Sequence, residues 1–297
     1  MSNTINDDSS PRPGHTRFLF IPGFVKSATT SLAHWFVESK LCEYLVDGIK
    51  EPYVYSRTDF ASFSLKMSDN WLLDASQGYC LNPAAISRMP EYGVKIILCL
   101  RNHWESVWSG YKMYKFSALG KRPKLAQKLH RIAQLHHPRK SIKYIEKYLE
   151  IEREHYVRSC FLERMEYELA FYFARRCFPF YSMLVLAQRF FGLRNILAKY
   201  PARDVFPVSV PMLVDGDLRR HFVLQLMGID VDTTEIPHRF VLDDSDLGEQ
   251  KPDFSIAAFD KIRALFAHDL QQFRMLLLKE GLALDYMDFA SLERNIL

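Results

Sequence analysis

The sequence contains few cysteines, and none of them forms a short paired motif. Five occur in 297 residues, and they are widely spaced: Cys42, Cys80, Cys99, Cys160 and Cys177. An odd number without a Cys-x-x-Cys pair argues against a complete disulfide framework. The simplest interpretation is a reducing compartment, so we expect the protein to be cytoplasmic.

Long hydrophobic runs are also missing. The most apolar stretch, residues 170–193, is interrupted by Arg175, Arg176 and Arg189, so no run is long enough to cross a bilayer. Residues 1–16 are polar and have neither the basic start nor the apolar centre of a signal peptide. We therefore expect no transmembrane segment, and we predict that residues 1–16 are a disordered lead-in.

A strong charge of one sign is absent as well. The net charge is +4 and the isoelectric point is about 8.7, which suits an anionic ligand but argues against a nucleic-acid partner. Hydrophobic residues make up 48% and charged residues 25% of the chain, which is ordinary for a globular protein with a full core. We predict a single domain over residues 17–297.

What the sequence does contain is an alternation of apolar strands and helices. Helix patterns cover residues 30–40 and 104–115, and the strand-like segments are residues 18–21, 44–49, 71–73, 94–100 and, weakened by Pro207, 205–210. This order predicts an α/β fold, a three-layer sandwich with a central parallel sheet. Ligands bind beyond the carboxyl ends of such strands, so the residues following these strands should face one crevice.

The pattern changes between about residues 120 and 200. Helical periodicity covers residues 140–158 and 167–191 without a strand signal, and we predict a helical insertion here. Further helices are predicted over residues 218–227 and 256–280, and each is followed by a glycine that suits a helix end.

The turn between the first strand and the first helix is rich in groups that bind anions. A helix start offers unpaired amides and a partial positive charge, to which the turn adds one full positive charge and several hydroxyls, in the order Lys26, Ser27, Ala28, Thr29, Thr30 and Ser31. It differs from the nucleoside-triphosphate loop because no glycine directly precedes Lys26. The turn is either a phosphate-binding loop or an ordinary polar turn with a solvated lysine.

A second candidate site follows the strand over residues 94–100. Arg101 lies at the carboxyl end of this strand, and Ser109 and Tyr111 lie about two turns into the next helix. An arginine fork with a serine hydroxyl is suited to a second phosphate. The alternative is a helix-capping arginine and an exposed serine.

Together the two segments resemble the sulfotransferases that use 3′-phosphoadenosine 5′-phosphosulfate (PAPS). The 5′-phosphosulfate loop of that family, K-x-[GA]-T-T-S, is matched by residues 26–31, and its 3′-phosphate motif, R-N-P-x-x-R-x-x-S-x-Y, is matched by Arg101, Asn102, Ser109 and Tyr111. His103 and Ser106 depart from it, in place of a proline and a second arginine. The resemblance covers residues 17–116 well and 203–289 in outline, and it implies a P-loop-like sulfotransferase fold.

The resemblance also implies roles for individual residues. Residues 26–31 with Arg101, Ser109 and Tyr111 would bind PAPS, and Lys26 would offset the charge that grows on the departing phosphate. Residues 50–53 resemble the K-E-[PLV]-H-[FY] segment of the carbohydrate and heparan branch, so Glu51 is the predicted general base, assisted by Lys50. No metal is expected, because the cations and amides supply the positive field.

The acceptor is the least determined part of the prediction. Glu51 favours a hydroxyl on a carbohydrate or glycolipid, whereas a peptide tyrosine and a small metabolite remain open. Residues 74–79 resemble an acceptor-binding segment of the family, E-K-S-P-x-Y, with Ala75 in place of its lysine. Lys251 and Arg239 are candidate further contacts to the 3′-phosphate.

Other interpretations remain open at this stage. The cation-rich stretch over residues 112–147 is either a solvated helical face or a surface that guides an anionic polymer or contacts lipid. Peripheral binding of the protein to a membrane is therefore open. The sequence does not determine the oligomeric state. A P-loop kinase using ATP and Mg²⁺ and a catalytically inactive nucleotide-binding relative are the alternative functions.

Overall fold

The computed structural model describes most of the chain in several ranges. These are residues 16–57, 68–123, 141–173, 182–231 and 248–297, together with residues 127, 130 and 236. The predicted disordered lead-in over residues 1–16 lies outside the described residues except for Thr16. The single domain over residues 17–297 stays a prediction.

A five-stranded parallel sheet forms the centre of the described structure, in the order β2-β3-β1-β4-β5. Its strands are β1 (Arg17–Gly23), β2 (Cys42–Tyr44), β3 (Trp71–Asp74), β4 (Val94–Leu100) and β5 (Val205–Ser209). Side chains alternate between the two faces of a strand, yet Leu19 and Phe20 are both fully buried. The central strand is therefore covered on both faces, as parallel sheets require.

Helices cover both faces of the sheet. In chain order they are α1 (Thr29–Glu38), α2 (Pro83–Arg88), α3 (His103–Ala118), α4 (Ile142–Arg158), α5 (Phe161–Phe173), α6 (Met183–Leu186), α7 (Arg189–Leu197), α8 (Val210–Val214), α9 (Gly216–Met227), α10 (Asp260–Lys279) and α11 (Phe289–Glu293). Phe20 packs in one apolar cluster with residues of α7 and α10, whereas Leu19 packs in another with residues of α1 and α9. The three-layer α/β prediction is confirmed.

Two predicted strands end earlier in the structure than the sequence indicated. The second strand was predicted over residues 44–49, but β2 ends at Tyr44 and the chain then turns through Gly48, whose φ is 67°. Gly48 supplies this positive φ without steric cost, so the Asp47-Gly48 pair makes a turn rather than a strand. The strand pattern over residues 205–210 likewise ends at Ser209, because α8 begins at Val210.

The described part of residues 142–197 is helical, but the single long helix predicted over residues 167–191 is wrong. Within the described residues α5 covers Phe161–Phe173, and α6 and α7 are separate short helices. Ser182 starts α6 anew, because its side chain accepts a hydrogen bond from the Val185 amide, and a side-chain cap of this kind competes with continuous helix. In the part of the chain that the structure describes, no helix combines the length and apolarity needed to cross a bilayer.

Candidate functional site

The turn between β1 and α1 presents the start of a helix to the crevice. Lys26 and Ala28 both have left-handed backbone conformations, with φ of 63° and 56°. No side chain caps α1, and a helix leaves its first amides, here those of Thr29 and Thr30, without an intrahelical acceptor. The turn therefore combines donor groups with the positive end of the helix dipole.

The hydroxyl groups of this turn are buried or linked to neighbouring strand ends. Ser27 is fully buried, and its Oγ has no hydrogen-bond partner among the described residues. Thr29 Oγ1 accepts a hydrogen bond from Gln77, and Thr30 Oγ1 accepts one from Lys50 Nζ at 2.7 Å. The loop is thus tied to the segments that follow β2 and β3, and Gln77 is a crevice residue to which the sequence assigned no role.

Lys26 is a partly buried cation among other cations. Its Nζ lies 4.0 Å from Met113 Sδ on α3, and none of the described residues forms an ion pair with it. Burial, and after it the neighbouring positive charges of Arg101, Arg122, Lys112 and Lys50, together lower the pKa of Lys26 to about 8. A bound anion would reverse this effect, because an opposite charge favours the charged form.

The helix α3 brings the second motif to the same crevice. Ser109 and Met113 are one turn apart and share a face of α3, and Met113 contacts Lys26, so the half-buried Ser109 lies on the face toward the loop. Arg101 follows β4, the neighbour of β1 in the sheet. The structure therefore brings the Lys26 loop, Arg101 and Ser109 together.

Lys251 lies next to Arg101 and shares a carboxylate with it. Arg101 Nη2 is 3.3 Å from Glu105 Oε2, and Lys251 Nζ bonds to the other oxygen of Glu105. Of the two C-terminal candidates for a 3′-phosphate contact, Lys251 thus reaches the Arg101 end of the crevice. Arg239 lies outside the described residues.

Tyr111 packs away from Ser109, inside the cluster between α3, α4 and α5. Its side chain is 0% exposed, and its hydroxyl donates to Glu249 at 2.9 Å and accepts from Lys115 Nζ at 2.9 Å. Residues two apart on a helix do not share a face, which explains the different directions. The structure gives Tyr111 a packing role, and its part in donor binding stays a prediction.

The two departures from the 3′-phosphate motif are both buried. His103 Nε2 lies 3.0 Å from Asp269 Oδ2 on α10, and the same carboxylate accepts hydrogen bonds from the Arg189 and Phe190 amides at the start of α7. Burial lowers the pKa of His103 to about 4, with a smaller contribution from Arg189, so the ring is neutral at pH 7. His103 therefore fastens α3 to α7 and α10, a contact without a local sequence signal. Ser106 is also buried.

The predicted base lies beside the loop. Glu51 pairs with Lys50, accepts a hydrogen bond from the Tyr53 hydroxyl at 3.4 Å, and has a side chain only 8% exposed. Since Lys50 also donates to Thr30, the Lys50–Glu51 pair is adjacent to the start of α1. The structure thus places both residues predicted for acceptor activation at the edge of the crevice.

A second carboxyl group ends β3 nearby. Asp74 is fully buried and accepts hydrogen bonds from the Ser76 amide at 2.8 Å and the Tyr79 hydroxyl at 3.1 Å. Burial raises the pKa of Asp74 to about 7; these hydrogen bonds oppose the rise, and the charge of Glu51 adds to it. Asp74 bonds to residues that directly follow its own strand, so it orders the segment that faces Glu51.

No group of three or more potential metal ligands occurs among the described side chains, and the expectation that no metal takes part stays a prediction. Sequence reasoning grouped Lys112 and Arg122 with a cation-rich stretch and gave them no individual role. Both positive charges act on Lys26, so these residues lie near the loop. The sequence indicated these residues only through the high number of Lys and Arg residues over residues 112–147. That number does not identify which of these side chains lie near Lys26.

No protein-family model matches the chain, and no curated protein matches it in sequence. Its fold is similar to the crystal structure of a sulfotransferase from Alicyclobacillus acidocaldarius, with a TM-score of 0.52, 13% sequence identity, and 89% of this chain and 96% of that chain covered. The chain therefore has a sulfotransferase-like fold. At this identity the likeness describes the fold alone.

Proposed function

We propose that this protein is a sulfotransferase that moves a sulfuryl group from PAPS to an acceptor hydroxyl. The observation that carries the proposal is the single crevice in which the Lys26 loop and the Arg101–Ser109 pair lie at the ends of neighbouring strands β1 and β4. PAPS carries two separate anionic groups on one nucleotide. A site with two separate anion-binding ends suits this donor better than it suits a ligand whose phosphates form one chain.

Each end of the crevice fits one end of the donor. The amides of Thr29 and Thr30, with Lys26, bind the 5′-phosphosulfate in the proposal. Arg101 and Ser109 bind the 3′-phosphate, since a guanidinium fork forms charge-assisted hydrogen bonds with phosphate oxygens. Lys251, next to Arg101, supplies additional positive charge at this end.

The reaction is a displacement at sulfur. The acceptor oxygen forms a bond to sulfur while the bond between sulfur and the bridging oxygen breaks, and 3′,5′-adenosine bisphosphate leaves. Glu51 takes the proton of the hydroxyl, and Lys26 neutralises the charge that grows on the bridging oxygen. Lys50 holds Glu51 next to the start of α1 through its bonds to Glu51 and Thr30.

The acceptor and the location follow from weaker observations. A carbohydrate or glycolipid acceptor is supported by Glu51, which matches the base of the carbohydrate branch of the family that the sequence resembles. A cytoplasmic location is supported by the cysteines, because Cys42, Cys80 and Cys99 are buried free thiols, as is common for proteins of reducing compartments.

The proposal is tested by ligand-induced stabilisation. At a concentration about 100 times its Kd, a ligand adds about 2.7 kcal/mol to the free energy of unfolding, so 3′,5′-adenosine bisphosphate should raise the Tm by several degrees. ATP with Mg²⁺ should raise it much less, and an equal or larger effect of ATP would indicate a kinase. Binding of the bisphosphate without transfer of labelled sulfate to a cell-extract acceptor pool would indicate an inactive relative.

Substitution at the Arg101 end should mainly weaken donor binding. Arg101→Ala and Ser109→Ala each remove a hydrogen bond to a charged group, worth about 1.5–3 kcal/mol, so the Kd of 3′,5′-adenosine bisphosphate should rise about 10-fold or more in calorimetric titration. Ser87→Ala is the matched control, because Ser87 is exposed and its hydroxyl donates to the Ala84 carbonyl within α2. Unchanged affinity in both Arg101→Ala and Ser109→Ala would show that the 3′-phosphate is bound elsewhere.

A further inference from the structure

A carboxylate lies in the row of side chains that α3 presents to the crevice. Glu105, Ser109 and Met113 are spaced four residues apart, so they share one face of this helix. Met113 contacts Lys26 at one end of the row. At the other end, Arg101 Nη2 lies 3.3 Å from Glu105 Oε2. Glu105 is therefore located between Arg101 and Ser109, the two residues proposed to bind the 3′-phosphate.

The two oxygens of Glu105 make the contacts that a phosphate would make at this end. One oxygen pairs with Arg101 and the other pairs with Lys251. A phosphate offers acceptor oxygens of the same kind but carries about −1.5 to −2 charges at neutral pH. A 3′-phosphate that binds both Arg101 and Ser109 therefore has to take the place of the Glu105 carboxylate.

Lys251 does not depend on Glu105 for its position. Two residues before it, Glu249 accepts a hydrogen bond from the Tyr111 hydroxyl at 2.9 Å and pairs with Lys115. This contact fastens the chain next to Lys251 to α3. Removal of the Glu105 charge should therefore leave Lys251 at the same end of the crevice.

The ion pairs of Glu105 are of the kind that exchanges easily. The side chains of Arg101, Glu105 and Lys251 are 38%, 35% and 39% exposed, and ion pairs at such positions contribute little to stability. Arg101 is placed by its backbone, which directly follows β4. A more highly charged anion can therefore replace the carboxylate, which then turns toward solvent but stays close enough to repel that anion.

We propose that Glu105 sets how tightly the site holds the 3′-phosphate, because its carboxylate occupies the phosphate position in the free protein and weakens the binding of 3′-phosphorylated ligands. The inference rests on the proposed sulfotransferase function and deepens it by assigning a residue that determines donor and product affinity. The bisphosphate product keeps the 3′-phosphate of the donor, so this repulsion also favours release of the product. A nucleotide without a 3′-phosphate leaves Glu105 paired with both cations.

The test compares two nucleotides that differ only in the 3′-phosphate, namely 3′,5′-adenosine bisphosphate and adenosine 5′-monophosphate. Their Kd values are measured by calorimetric titration with wild-type protein and with Glu105→Gln, which keeps the size of the side chain but removes its charge. The variant should bind the bisphosphate about 5-fold more tightly, as the loss of competing exposed ion pairs predicts. This gain should shrink as the salt concentration rises.

The monophosphate should bind both proteins with Kd values within about twofold, because its 5′-phosphate belongs at the Lys26 loop. Met113, which marks that loop on α3, is eight residues or about 12 Å from Glu105 along the helix, a distance over which salt screens an exposed charge. A merely structural effect of the substitution would not separate the two nucleotides in this way.

Glu154→Gln is the matched control. It removes the same charge from a side chain that is 59% exposed on α4, where it lies 4.0 Å from Arg158. This variant should leave the Kd values of both nucleotides unchanged. The Tm of ligand-free Glu105→Gln should stay close to that of wild type, because the lost ion pairs are exposed.

Two results would overturn the inference, and a third would overturn its basis. Unchanged or weaker bisphosphate binding in Glu105→Gln means that the carboxylate does not compete with the phosphate. An equal gain for both nucleotides means that its charge acts without regard to the 3′-phosphate. If wild-type protein binds the bisphosphate no more tightly than the monophosphate, the 3′-phosphate site of the proposed function is contradicted and the inference falls with it, so the failures are distinguishable.

Discussion

Lys26→Ala is expected to reduce the turnover of PAPS by about 10²-fold or more. Lys26 is the partly buried cation beside the start of α1, and removing one preorganised charge from a developing oxyanion costs about this factor in other enzymes. Turnover is measured as transfer of labelled sulfate to an acceptor pool. Lys279→Ala, at an exposed position of α10, is the control, and equal rates in the two variants would exclude Lys26 from the chemistry.

The pH dependence of donor binding provides a second measurement on Lys26. Its pKa is about 8 in the free protein, so its charge is lost as the pH rises through 8, and wild-type affinity for 3′,5′-adenosine bisphosphate should fall between pH 7 and 9. The Lys26→Ala variant should bind more weakly at pH 7 and lack this part of the decline. An identical pH profile in both proteins would contradict the assignment.

The same depressed pKa has a consequence for stability. The folded state holds the Lys26 proton less tightly than the unfolded chain, whose lysine pKa is near 10.5, so this group destabilises the fold as the pH falls from about 10.5 through 8. Lys26→Met, which keeps a long side chain without the charge, should therefore unfold at higher denaturant concentration than wild type at pH 7. Greater stability with lower activity is the pattern expected of a binding residue.

Glu51→Gln is expected to reduce turnover by about 10²-fold or more, because a glutamine keeps the size of the side chain but does not accept the acceptor proton. Glutamine also retains an oxygen for the Tyr53 hydroxyl, which now bonds to Glu51. Affinity for 3′,5′-adenosine bisphosphate should stay near wild type, so the loss appears in kcat. Glu280→Gln, remote on the surface after α10, is the control.

Full activity in Glu51→Gln would remove Glu51 from the mechanism. The candidate general base would then be Asp74, the buried carboxyl at the end of β3. Its pKa of about 7 suits proton transfer near neutral pH. The pH–rate profile distinguishes the two carboxyl groups, because loss of the base should remove the acidic limb of that profile.

The local parts of the fold were predictable because their signals are local. The strand over residues 94–100 is apolar and β-branched, and it appears as β4 with the same bounds. The hydroxyl-rich segment at residues 26–31 covers the end of the turn after β1 and the start of α1. The second strand was misplaced because the apolar residues Leu45, Val46 and Ile49 surround an Asp-Gly turn, and periodicity alone does not distinguish a short strand from a turn with apolar flanks.

The sequence by itself determined the order of strands and helices and the chemistry of both anion-binding segments, because these depend on neighbours a few residues apart. Only the tertiary structure decided that Met113 packs against Lys26, 87 positions away along the chain, and that His103 meets Asp269 on α10. Such contacts depend on how whole helices pack on the sheet, and that packing is the combined result of many apolar contacts rather than of any motif.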